Sequence, residues 1–88
     1  MTSLDMTITE LRHAVETNEA SAAVHFARSA HHQARADSYD LDDPENIAPW
    51  FNAAQTALTE KRNAIACRLA VAASRRELDS LRRDHSDD

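Results

Sequence analysis

Residues 49–83 read PWFNAAQTALTEKRNAIACRLAVAASRRELDSLRR, and the reading of this stretch decides the fold. After its first residue it holds neither proline nor glycine, and Ala, Leu, Arg and Glu, all good helix formers, dominate it. The expected element is one long helix over about 49–83, with Pro49 tolerated in the first turn. Ile47, Phe51, Ala54, Leu58, Ile65, Leu69 and Ala72 recur at helical spacing, broken only where Arg62 falls. This stripe is expected to be the main buried face. Cys67, Val71, Ser74, Leu78 and Leu81 form a second seam, rotated from the first and displaced toward the C-terminus. Two seams on one helix predict two contacts, one with the rest of the chain and one with a partner.

Upstream, Leu4, Ile8, Leu11 and Val15 keep a spacing of four, three and four, which places them on one helical stripe. Thr7 followed by Glu10 has the form of a capping box and predicts a helix start near Thr7. Thr17-Asn18-Glu19 then interrupts the stripe, and Asn18 is a suitable N-cap. The expectation is two helices, about 7–17 and 19–37, with a single continuous helix as the alternative because no glycine or proline breaks the chain there. The second stripe is Ala22 or Ala23, Phe26, Ala30 and Gln33 or Ala34, with His25, Arg28, His32 and Arg35 on more polar faces.

The segment 37–48 is the expected loop. Asp37, Ser38, Asp40, Asp42 and Asp43 compete for backbone hydrogen bonds, and Pro44 drives Asp43 to an extended conformation. Asp43 is a natural cap for a turn that opens with Pro44. Beyond 83, residues 84–88 are wholly polar and expected to fray. The fold class is therefore all-α: a helical hairpin or a three-helix bundle with a long C-terminal helix, in one domain spanning 1–88.

Composition bounds the function. The 88 residues carry a net charge of −5 and include no glycine, 42 % hydrophobic residues and one cysteine. An acidic chain argues against a nucleic-acid backbone as the principal partner, which needs clustered, uncompensated Lys and Arg. Cys67 has no internal partner for a disulfide, and Met1–Glu10 lacks both the basic start and the apolar run of a signal peptide. A cytoplasmic protein with no membrane segment is expected. Basic usage is heavy in Arg, with Lys61 the only lysine, a bias resembling small proteins of high-GC bacteria or their phages.

No catalytic constellation can be assembled. A chain without glycine offers no phosphate-cradling loop, and Cys67 lies among Ala64, Ala66, Ala70 and Val71 with no base beside it, which suits a small buried hydrophobe better than a nucleophile. Glu10 and His13 have the Glu-x-x-His spacing of di-metal bundles, but Glu60-x-x-Asn63 and Glu77-x-x-Ser80 supply no second unit, so a metal site would require dimerisation. His25, His31 and His32 read as polar surface histidines. Arg75, Arg76, Arg82 and Arg83 could touch phosphate, but Glu77, Asp79 and Asp84 compensate them.

Trp50 has two readings. It closes the end of the hairpin, or it anchors a partner. The expected function is a non-enzymatic, acidic, helical protein–protein interaction module, of the kind found among inhibitors, immunity or antitoxin-like proteins and assembly subunits. It would bind another protein, or itself as a homodimer, through Trp50 and the seam Cys67, Val71, Leu78 and Leu81, with Asp40, Asp42 and Asp43 steering a basic partner. No cofactor, metal or small-molecule substrate is expected. The alternatives are a nucleic-acid-associated protein using the C-terminal arginines and a dimeric metal-binding bundle.

Overall fold

A computed structural model describes residues 2–86, and within them the chain is all-α. Helix α1 spans Ser3–Asp37, a single 3-10 turn covers Pro44–Asn46, and helix α2 spans Ile47–Ser86. The two helices pack side by side and antiparallel. Ser29 on α1 meets Ala57 on α2, and Glu19, ten residues earlier, meets Arg75, eighteen residues later. The molecule measures 69 × 20 × 13 Å.

α1 is continuous where a break near 17–19 was expected. Asn18, expected to cap a new helix, instead donates its side-chain amide to the Ala14 carbonyl at 2.9 Å, satisfying itself inside the helix. The start also lies earlier than Thr7. Thr2 is the N-cap: its hydroxyl accepts from the Asp5 backbone N–H, and the Asp5 carboxylate accepts from the Thr2 N–H, a reciprocal capping box. Thr7 lies within the helix and donates its hydroxyl to the Ser3 carbonyl.

The connection is shorter than 37–48 and is built from its own acids. Ser38 caps α1 by donating its N–H and hydroxyl to the Arg35 carbonyl. Asp40 Oδ1 accepts from the Asp42 N–H, Asp43 Oδ1 accepts from the Glu45 N–H, and the Asn46 amide donates to the Asp40 carbonyl. α2 begins at Ile47, two residues before Pro49, whose missing N–H is unneeded in the first turn. Of the end expected to fray, Asp84–Ser86 are helical, and residues 87 and 88 lie outside the described residues.

The seam between the helices is made of small residues. Among the described residues the buried apolar ones are Ala22, Ala36, Ala53, Ala57, Ala64 and Val71, and no large side chain is fully buried. On α2, Trp50, Ala53, Ala57, Glu60, Ala64, Cys67, Val71, Ser74, Leu78 and Leu81 are all buried or half-buried, and they alternate three and four apart. On α1 the same alternation runs Leu4, Ile8, Leu11, Val15, Asn18, Ala22, His25, Ser29, His32, Ala36. Each helix thus presents one unbroken heptad seam, the pattern of helices packed at a shallow angle. Alanine sets a close approach: the short Ser29 hydroxyl reaches across to donate to the Ala57 carbonyl at 2.8 Å.

This geometry inverts the expected roles of the two faces of α2. The stripe Ile47, Phe51, Leu58, Ile65 and Leu69, expected to be the core, is exposed, whereas Val71, with Cys67, Leu78 and Leu81, faces α1. The physical reason is the backbone approach that alanine allows. A seam carrying Phe51, Leu58 and Ile65 would hold the helices farther apart and leave Ser29 unable to reach Ala57.

Because Ala64 is fully enclosed, Ala64→Leu should force the helices apart and cost about 1–3 kcal/mol. Thermal unfolding followed by circular dichroism should show a midpoint several degrees lower, while Ala66→Leu, at an exposed position, should leave the midpoint close to that of the parent.

Candidate protein-interaction face

One residue of rotation, about 100°, separates the buried seam of α2 from a second stripe, Ile47, Phe51, Ala54, Leu58, Ile65, with Leu69 beside it. Apart from the half-buried Ala54 these are large and open to solvent: Phe51 is 52 % exposed, Leu58 42 %, Ile65 45 % and Leu69 65 %. Across the seam, α1 contributes Ala23, Phe26 and Ala30 to the same side of the molecule. The Arg68 guanidinium lies over the Phe26 ring, 4.3 Å from its centroid, and so ties the two helices together on this side. Farther toward the open end Arg75 pairs with Glu19, and the face turns from apolar to charged.

The hairpin as a whole is extended for its mass. The molecule exposes 6542 Å², whereas a compact monomer of this mass would expose roughly 5,200 Å². Its radius of gyration is 19.8 Å, against about 12 Å for a compact domain of this length. The excess surface follows from folding only two long helices onto each other.

The residues expected to bind a partner are scattered by the fold. Val71 is buried in the seam, Cys67, Leu78 and Leu81 are half-buried along it, and Trp50 is half-buried at the turn end. Asp40, Asp42 and Asp43 are exposed in the loop, where Asp40 and Asp43 also hold its backbone. Glu10 and His13 are both exposed on α1, and among the described residues no three His, Cys, Asp or Glu side chains gather into a metal-holding group. No helix of the described residues is long and apolar enough to cross a membrane.

A hydrogen-bonded pair also lies inside the seam, at positions that residue type alone does not mark as buried. His25 Nδ1 donates to Glu60 Oε2 at 2.5 Å, and both side chains are partly buried between the helices. His25, expected on a polar surface, is half-buried. Its position seven residues before His32 and three after Ala22, within the heptad, is the signal that places it inward. The Glu60 carboxyl lies below its ordinary value because the His25 hydrogen bond stabilises its charged form, which outweighs the opposing effect of burial; His25, Arg28 and His32 add favourable charge.

A carboxyl pKa depressed by folding contributes stability that is present above the unfolded value and lost as pH falls through the folded one. The unfolding midpoint should therefore decline as pH drops below the ordinary value of 4.5. Glu60→Gln should lower the midpoint at neutral pH and make the decline in acid shallower. Parallel acid profiles for the two proteins, measured by circular dichroism, would contradict a contribution from this pair.

Compared with family models, with curated proteins and with solved structures, the chain matches none of them.

Proposed function

We propose that this chain is a non-enzymatic protein-interaction module, a helical hairpin that works through the exposed apolar side of α2. The observation that carries the reading is the contrast between what the hairpin buries and what it leaves out. Among the described residues no large side chain is fully buried, yet Phe51, Leu58, Ile65 and Leu69 stand in solvent on one side of one helix. Scattered exposed hydrophobes need no explanation, but several large ones aligned on one side of one helix beside a polar rim are the pattern of a contact surface.

Phe51 and Leu58 are the anchors of this surface, and Phe26 widens it from α1. The acidic loop at Asp40–Asp43 lies at its end and steers basic surfaces toward it, an effect on encounter rate that salt weakens. A small, acidic, helical chain of this kind fits an inhibitor, an immunity or antitoxin-like protein or an assembly subunit, acting in the cytoplasm. Trp50 supports the turn end of the hairpin, and Cys67, Val71, Leu78 and Leu81 hold the hairpin together, so they serve binding only through the fold.

Photo-crosslinking in living cells tests this reading. A photoreactive residue at Leu58 or Leu69 should yield discrete protein adducts, and the same residue at Asn63, on the other side of α2, should yield few. Equal labelling from all three positions, or none from any, would contradict it.

A further inference from the structure

We propose that the occupant of the apolar side of α2 is a second copy of this chain, packed antiparallel about a two-fold axis at Leu58. This rests on the reading that the α2 stripe is a contact surface, and names its partner. The stripe is self-complementary when reversed upon itself. With Leu58 set against Leu58, the residues equally distant on either side oppose each other, so Phe51 meets Ile65 and Ile47 meets Leu69. All five large residues of the stripe then find an apolar counterpart, and a two-fold interface requires just such a self-matching patch.

The charge pattern follows the same axis. Between Asp37 and Trp50 the chain has five acids and no Lys or Arg; between Lys61 and Arg76 it has five cations and no acid. Reversal about Leu58 sets the Ile47 end of α2, where the loop of Asp40, Asp42 and Asp43 lies, toward the Arg76 end of the other copy's α2, where Arg75 already pairs with Glu19. Lys61 falls opposite Gln55 rather than another cation, and its aliphatic stem can lie on the apolar surface while the ammonium stays in water. The loop acids thus gain basic partners from the other copy, as electrostatic complementarity between two surfaces requires.

The area is sufficient. From Ile47 to Leu69 the stripe is roughly 33 Å long at 1.5 Å per residue, and the molecule is 20 Å across its two helices. This footprint of about 660 Å² per copy approaches the roughly 800 Å² per partner of a standard specific interface before side-chain relief is counted. The product is a four-helix assembly whose inner layer consists of the large residues that each hairpin leaves outside.

Light scattering over a wide dilution series, at low and high salt, tests the proposal on the full chain. The expected mass is twice 9.8 kDa, falling to that of one chain on dilution, with dissociation promoted by salt. Leu58→Asp and, separately, Leu69→Gln, both at exposed positions and both expected to remain helical by circular dichroism, should give the single-chain mass. Arg76→Glu should weaken the pair by about tenfold, and Arg76→Glu combined with Asp42→Lys should regain most of it, because the two-fold axis brings the acidic loop of one copy toward the Arg76 end of the other twice.

A single-chain mass throughout, with an apolar dye that binds the parent and not Leu58→Asp, would overturn the second copy as occupant and leave the contact surface standing. A single-chain mass without dye binding would overturn both. A pair that forms but is not regained by the combined substitution would overturn the antiparallel arrangement.

Discussion

The closeness of two helix backbones along an alanine seam is the constraint on which the rest of this molecule depends. Ala22, Ala36, Ala53, Ala57 and Ala64 occupy heptad positions on the two helices and are buried there. With only methyl groups between them, the helices approach until a serine hydroxyl on one donates to a main-chain carbonyl on the other. At that spacing, along the stretch of Ala53, Ala57 and Ala64, there is no room in the seam for Phe51, Leu58 and Ile65, which lie outward, whereas Leu and Ile enter it only toward the open end. The same short distance makes room for polar seam residues only if they pair, as His25 and Glu60 do. Register is therefore set by a hydrogen-bonded pair and a side chain-to-backbone bond near the middle, and by Leu and Val side chains toward the open end.

Such a seam is thin. Each buried alanine removes little apolar area from water, since burial contributes about 0.8 kcal/mol per methylene-sized group, and the hairpin has a large surface for its mass. The large apolar residues that a compact domain would enclose lie on the adjacent side of α2. A surface of this kind is a stability reserve that only association can use, because a ligand that binds the folded state alone adds its binding free energy to folding. Under the proposed self-association, folding and assembly would use two faces of one helix, separated by about 100° of rotation.

Much of the fold was legible from residue types. The absence of glycine, the long run after Pro49 and the Asp-rich segment before Pro44 specify helices on either side of one loop. The continuity of α1 was less legible, because Thr17-Asn18-Glu19 has the side chains of a cap; Asn18 resolves the ambiguity by bonding back to Ala14. That two stripes run along α2 was also readable, and so was the expectation that only one of them packs against the rest of the chain. Their assignment was not. Large hydrophobes dominate any estimate of burial from composition, whereas Ala, Ser, His and Glu at Ala57, Ser29, His25 and Glu60 look like surface. The signal that distinguishes them is regularity: the seam of small residues keeps its alternation of three and four without a gap in both helices, while the stripe of large ones is interrupted at Lys61 and Arg62.

The central claim, that the helices meet through the alanines and not through the large apolar stripe, is tested most directly by methyl nuclear Overhauser contacts. The protein should be isotopically labelled and diluted until its mass is that of one chain. The account predicts contacts from the Ala64 methyl to methyl groups of α1 around Ala22, and none from Leu58 or Leu69 to any residue of the α1 seam. Contacts from Leu58 and Leu69 to that seam, with Ala64 open to solvent, would show that α2 is rotated by one residue and would contradict the account.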